Sequence, residues 1–152
     1  LRHAPDPRKL LPARLRLAAD GKCGEAVCGS YRCSDMRIVI SAMIDLVPGV
    51  REQTLRDAQK HIAGTEAEPG CLEYTWTPSF TRPDRIHVFE EWADEGSLKG
   101  HFESSHYAAM RDHLQKAGIV AATNRKYLVA AFEPVYDSDG RPRTDFADAP
   151  SS

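Results

Sequence analysis

The sequence predicts an α+β fold with elements in the order β-α-β-β-α-β and an antiparallel sheet. Three observations predict it. Three stretches alternate side chains across two faces with the period of a strand, and a fourth strand is placed near the end of the patterned region. Stretches with helical spacing lie between the first and second strands and between the third and fourth. Pro, Gly or a helix-capping residue marks the boundaries.

Ile38, Ile40, Ala42 and Ile44 alternate with Arg37, Val39, Ser41 and Met43, the pattern of a half-buried strand. Pro48-Gly49 breaks it. A helix is expected over 50–67, with Leu55, Ala58 and Ile62 on its inner face, and Glu68-Pro69-Gly70 ends it because proline forbids continuation. The second strand is expected over 71–77, with Leu72, Tyr74 and Trp76 facing one way. After a loop over 78–84, the third runs from Arg85 to Trp92, with Ile86, Val88, Glu90 and Trp92 on one face and His87, Phe89 and Glu91 on the other. Asp94 can cap a short helix over 95–102. Ser104 or Ser105 can cap the next, over 106–117, which Gly118 ends. A last strand is expected over 126–132, before Pro134.

This order is the ferredoxin-like motif, with helices on one sheet face and the other face open. Val39, Met43, Phe89 and Val129 are expected on the open face. An apolar open face on a core of this size needs a cover, and a second copy packed sheet to sheet is the expected one. The regular pattern spans 36–135, one domain. Residues 136–152 read as a flexible polar tail. Residues 1–35 read as an irregular extension, non-native if Met36 is the true start; a targeting peptide is the rival reading, weakened by Asp6, Asp20 and the scarcity of Ser.

Composition narrows function. Apolar residues make up 41% and charged residues 28%, with a formal net charge of −2, so no basic footprint argues for nucleic acid. No apolar run approaches the roughly 20 residues of a membrane helix, and a cytoplasmic protein is expected. Cys23, Cys28 and Cys33 are evenly spaced but lack the second ligand pair of a zinc site, so free thiols are expected, and Cys71 reads as a strand residue. No Gly-rich phosphate loop or dinucleotide fingerprint is present.

Three pieces carry a family resemblance: Glu68-Pro69-Gly70-Cys71-Leu72-Glu73-Tyr74, Phe89-Glu90-Glu91-Trp92, and Leu98-Lys99-Gly100-His101-Phe102-Glu103-Ser104-Ser105-His106-Tyr107. In their order and distance they resemble the antibiotic biosynthesis monooxygenase domain, although that family usually has Pro where Ser105 stands. The resemblance implies a dimeric α/β barrel with a small apolar pocket between sheet and helices. Activities it implies include cofactor-independent oxygenation of quinols, phenols and anthrones, haem degradation, and isomerisation of a small sugar-derived compound. The haem-degrading pattern is not matched: the first strand has no Asn, His101 stands near the expected Trp, and Met110 or Arg111 near the expected His.

The favoured expectation is therefore a homodimeric oxygenase acting on a small aromatic substrate with molecular oxygen, using no cofactor and no metal. An isomerase on a small carbonyl compound and a non-catalytic ligand-binding dimer are the alternatives. His106 and His101 are the expected catalytic residues, since imidazole moves protons near neutral pH. On a continuous helix they would lie about 140° apart, so a break at Ser104-Ser105 is needed to bring them together. The competing reading for His106 is packing at a helix start, and for His101 packing beside Phe102. Tyr74, Trp76, Trp92 and Phe102 are the expected substrate-binding residues, their rings suiting a flat aromatic. Trp92 also fits plain core. Glu90 is either a strand carboxylate paired with Arg85 or Lys126, or a buried acid with a raised pKa. His113 is expected in solvent, and His87 exposed or on the dimer face.

Overall fold

The computed structural model describes residues 36–146, so the expected extension over 1–35, with Cys23, Cys28 and Cys33, lies outside the described residues. The elements are β1 (Ile38–Leu46), α1 (Arg51–Glu66), β2 (Cys71–Pro78), β3 (Arg85–Trp92), α2 (Glu95–Glu103), α3 (Ser105–Ala117) and β4 (Ile119–Leu128). The four strands form one sheet in the order β2-β3-β1-β4, and each neighbouring pair is antiparallel. This is the expected ferredoxin-like arrangement, with the second helical region split into two.

The sheet face under the helices follows the alternation in the sequence. Ala42, Ile44 and Leu46 of β1 and Ile86 and Val88 of β3 meet Ala58 of α1 and Met110 and Leu114 of α3. A second cluster joins Ile38, Tyr74 and Trp92 to Leu98 of α2. Because side chains alternate across a strand, Val39, Met43 and Phe89 fall on the opposite face, where no described helix lies. Phe89 remains 38% exposed there.

Three local readings are corrected. The last strand spans Ile119–Leu128 rather than 126–132: Gly118, at φ 92°, turns the chain straight from α3 into the strand. All ten of its residues are exposed, so it carries no burial pattern to read, and Val129 follows it. Leu72 does not share a face with Tyr74 and Trp76. A bulge between Cys71 and Glu73 turns Leu72 out to 48% exposure and Cys71 inward onto the second cluster. His113 is half-buried, not in solvent, because its Nε2 donates to the Thr54 carbonyl of α1 at 2.9 Å. Of the C-terminal segment, 136–146 is described, and there Asp137 closes a turn through bonds from Asp139 N and Arg141 N.

Candidate active site

The turn after α1 builds the site. Pro69 cannot continue the helix, and Gly70 takes φ 76°, a backbone conformation that favours glycine. A Cβ at Gly70 would stand 2.0 Å from Ser97 Oγ, so the turn lies directly against the start of α2. The Gly70 carbonyl also accepts from Ala93 N at 2.8 Å. Asp94 fixes α2 itself, accepting from Ser97 N at 2.7 Å and from Ser97 Oγ at 2.9 Å. The outcome is that Glu68 meets His101, with Glu68 Oε2 and His101 Nδ1 2.7 Å apart.

His101 is 2% exposed. Its ring centroid lies 4.6 Å from that of Trp92, 5.1 Å from Tyr107 and 5.6 Å from Tyr74. Burial lowers the pKa of His101, the bond to Glu68 and its charge work in the opposite direction, and His106 adds to the lowering. A carboxylate only accepts, so Nδ1 carries the proton toward Glu68 and Nε2 holds the lone pair. The result is a neutral, oriented imidazole that can take a proton.

Glu90 lies in the same interior at 8% exposure, where its Oε2 accepts from Trp92 Nε1 at 3.0 Å. Burial pushes the Glu90 carboxyl up to about 7, the charge of Glu68 pushes the same way, and the Trp92 bond opposes both. Arg85 pairs instead with Asp45, Nε to Oδ1 at 2.7 Å, so the expected surface pairing of Glu90 with Arg85 is replaced by burial. Burial, and then the charge of Glu90, raise the Tyr74 phenol above its ordinary range. Three buried polar atoms, Thr65 Oγ1, Trp76 Nε1 and Glu68 Oε1, have no hydrogen-bond partner within the described residues.

The His101–Glu68 pair opens to a cavity of about 410 Å³ lined by Glu68, Pro69, Gly96, Ser97, Gly100, His101 and Ser104. The expected site residues divide around it. His101 lines the cavity, and Tyr74 and Trp92 are buried against the His101 ring. Trp76 packs on Tyr74 with centroids 6.0 Å apart. Phe102 is 45% exposed, with its ring 5.8 Å from His101. The helix break falls at Ser104, whose Oγ accepts from Tyr107 N at 3.1 Å and caps α3. His106, expected at the pocket mouth, instead lies on α1: a Cβ on Gly64 would come within 2.3 Å of its ring. It does not line the cavity. Among the described residues no group of three or more His, Cys, Asp or Glu side chains is placed to hold a metal ion, and no helix is long and apolar enough to cross a membrane.

In the sequence Glu68 stands out as part of a helix stop and of a family segment, not as a partner for His101. The available signal was electrostatic: an acid just past a helix C-terminus sits at the negative end of the dipole and needs a compensating partner. Tyr107 was also missed as a neighbour of His101, because only the break at Ser104 folds α3 back over α2.

The family model described as "Antibiotic biosynthesis monooxygenase" matches residues 37–113, just over half of the 152-residue chain. The Bacillus subtilis (strain 168) protein named "Putative monooxygenase YcnE" is 31% identical over 70 residues, covering 46% of this chain and 74% of that protein. The Synechocystis "Uncharacterized protein sll1783" is 27% identical over 74 residues, 49% of this chain, and the match spans only 50% of its length. The solved structure of a conserved protein from Methanosarcina mazei Go1 superposes with a TM-score of 0.57 at 25% identity, covering 64% of this chain and 96% of that one. The matched region holds β1, the Glu68-Pro69-Gly70 turn, α2 and the first nine residues of α3, which together assemble the His101 site, and the chain belongs to the antibiotic biosynthesis monooxygenase family.

Proposed function

We propose that this chain is a cofactor-independent monooxygenase that oxidises a small electron-rich aromatic, a quinol, phenol or anthrone-like compound, with molecular oxygen. The observation that carries the reading is the buried His101–Glu68 pair at the wall of a cavity. His101 Nε2 takes the phenolic proton, and Glu68 stabilises the imidazolium that forms. The phenolate passes one electron to oxygen, and the radical pair combines to form a C–O bond. The resulting peroxide loses water, with the proton on His101 returning to the departing hydroxide. For a hydroquinone the balance is one O2 consumed, one oxygen atom gained, and one water released. Tyr74 and Trp92 wall the base off from solvent, which strengthens each charge interaction inside. The uncovered face bearing Val39, Met43 and Phe89 supports assembly as a homodimer.

One observation favours a second reading. Glu90, with a pKa of about 7, carries its proton over the range where neutral His101 can accept one. An acid and a base in one interior suit proton shuttling, as in an isomerase acting on a small carbonyl compound.

Oxygen consumption by the metal-stripped protein, with chelator present, against quinols, naphthols and anthrones separates the two. Catalysed uptake that falls at least tenfold in His101→Ala and in Glu68→Gln supports the oxygenase. No uptake across the panel, or full activity in both variants, overturns it.

A further inference from the structure

We infer that Gly100 sets the size of the aromatic that the His101 site accepts, and that the missing side chain admits a fused two- or three-ring phenol; the inference rests on the aromatic-oxygenase reading. Glycine weakens a helix interior, so each helical glycine needs a local reason. Gly64 has one, since His106 occupies the space a Cβ would fill. Gly96 has one in part, since its Cβ would stand 3.2 Å from the capping Asp94 Oδ1. Gly100 has none: its φ is not positive, and a Cβ there would meet nothing within 4 Å. The fold neither fills that space nor needs the backbone freedom.

The space belongs to the cavity. Gly96 and Gly100 are one helical turn apart and share a face of α2. Both glycines line the cavity together with Pro69 and His101, so a side chain at position 100 would stand at its wall. Glu68, whose Oε2 holds His101 Nδ1, lines the same cavity, and its Oε1 is buried without a partner in the described residues. The volume of about 410 Å³ lies within the range of small-molecule sites and is generous for a single ring. A fused aromatic laid across the glycines reaches His101 with its hydroxyl. A side chain at position 100 takes the space of the outer rings first.

The test is anaerobic calorimetric binding of phenol, 1-naphthol and anthrone, so that turnover plays no part. Wild-type affinity is expected to rise at least tenfold from phenol to anthrone. Gly100→Leu should weaken anthrone and naphthol at least tenfold and phenol no more than two- to threefold. Gly100→Ala should give a smaller graded loss while its melting temperature rises, which rules out misfolding as the cause. Lys99→Ala, on the exposed side of the same helix, should leave all three affinities within twofold. Equal affinities of wild type and Gly100→Leu, an equal loss for all three probes, or no binding by wild type overturns the proposal. Graded binding without oxygen uptake defeats only the oxygenase reading, and uptake without a size effect at Gly100 defeats only this one.

Discussion

Replacing Glu90 by Gln keeps the shape of the side chain and an oxygen that can accept from Trp92 Nε1, and removes the ability to ionise. In the folded protein burial raises this carboxyl from 4.5 to about 7. Between those two values the native state holds a proton that the unfolded chain has released, so stability falls as pH rises. The stability that the protonated group contributes is complete below 4.5 and lost once pH passes 7. At 1.36 kcal/mol per unit, a rise of about 2.5 units corresponds to a loss of roughly 3 kcal/mol above neutrality. Most of this develops between pH 5 and 7. Thermal unfolding of wild type and Glu90→Gln at pH 5 and pH 8.5 reads it directly. The advantage of the variant should grow by about 2–3 kcal/mol between the two conditions, on the order of 10 °C in Tm for a domain of this size. Any fixed cost of the amide cancels in that difference of differences. A gap between the two proteins that does not change with pH refutes the argument, since it means Glu90 titrates alike folded and unfolded.

Three further outcomes are expected. The pH–rate profile should keep its activity below pH 6.5 before it falls, because burial lowers the His101 pKa; Glu68→Gln removes an opposing influence and should move that acid limb lower still, and a limb above 6.5 counts against His101 as the base. Gly64→Ala should destabilise the fold by about 1–3 kcal/mol through collision with the His106 ring, and His106→Ala in the same chain should restore most of it; denaturant melts that show simple additivity would remove the packing role of His106. Light scattering should give twice the 16.9 kDa chain mass for the wild type and the single-chain mass for Phe89→Lys; a wild type at 16.9 kDa refutes the proposed homodimer, and an unchanged double mass in the variant moves the interface away from the open face.

Periodicity and stop signals were enough to set the order of elements, the strands and helices up to α3, and the two faces of β1 and β3. Strict alternation in β1 and β3 and explicit stops at Pro48-Gly49, Pro69-Gly70, Asp94 and Gly118 are local signals, and local geometry obeys them. The sequence also named His101, which lines the cavity, whereas Tyr74 and Trp92, named as substrate contacts, are buried against the His101 ring and do not line it. What it left open depended on contacts between distant residues. The limits of β4 were hidden because an edge strand exposed on both faces needs no apolar alternation. The bulge at Leu72 belongs to the pairing of β2 with β3, not to β2 alone. Whether His106 or His101 enters the site was decided by Gly64, which draws the first onto α1, and by Glu68, which holds the second from 33 residues away. Glu90 could be read as a surface ion or a buried acid until the sheet set it beside Trp92 with Arg85 committed to Asp45. Period and capping fix where side chains point along an element; which charges lose their water, and which partner they then meet, is settled only when the elements close on one another.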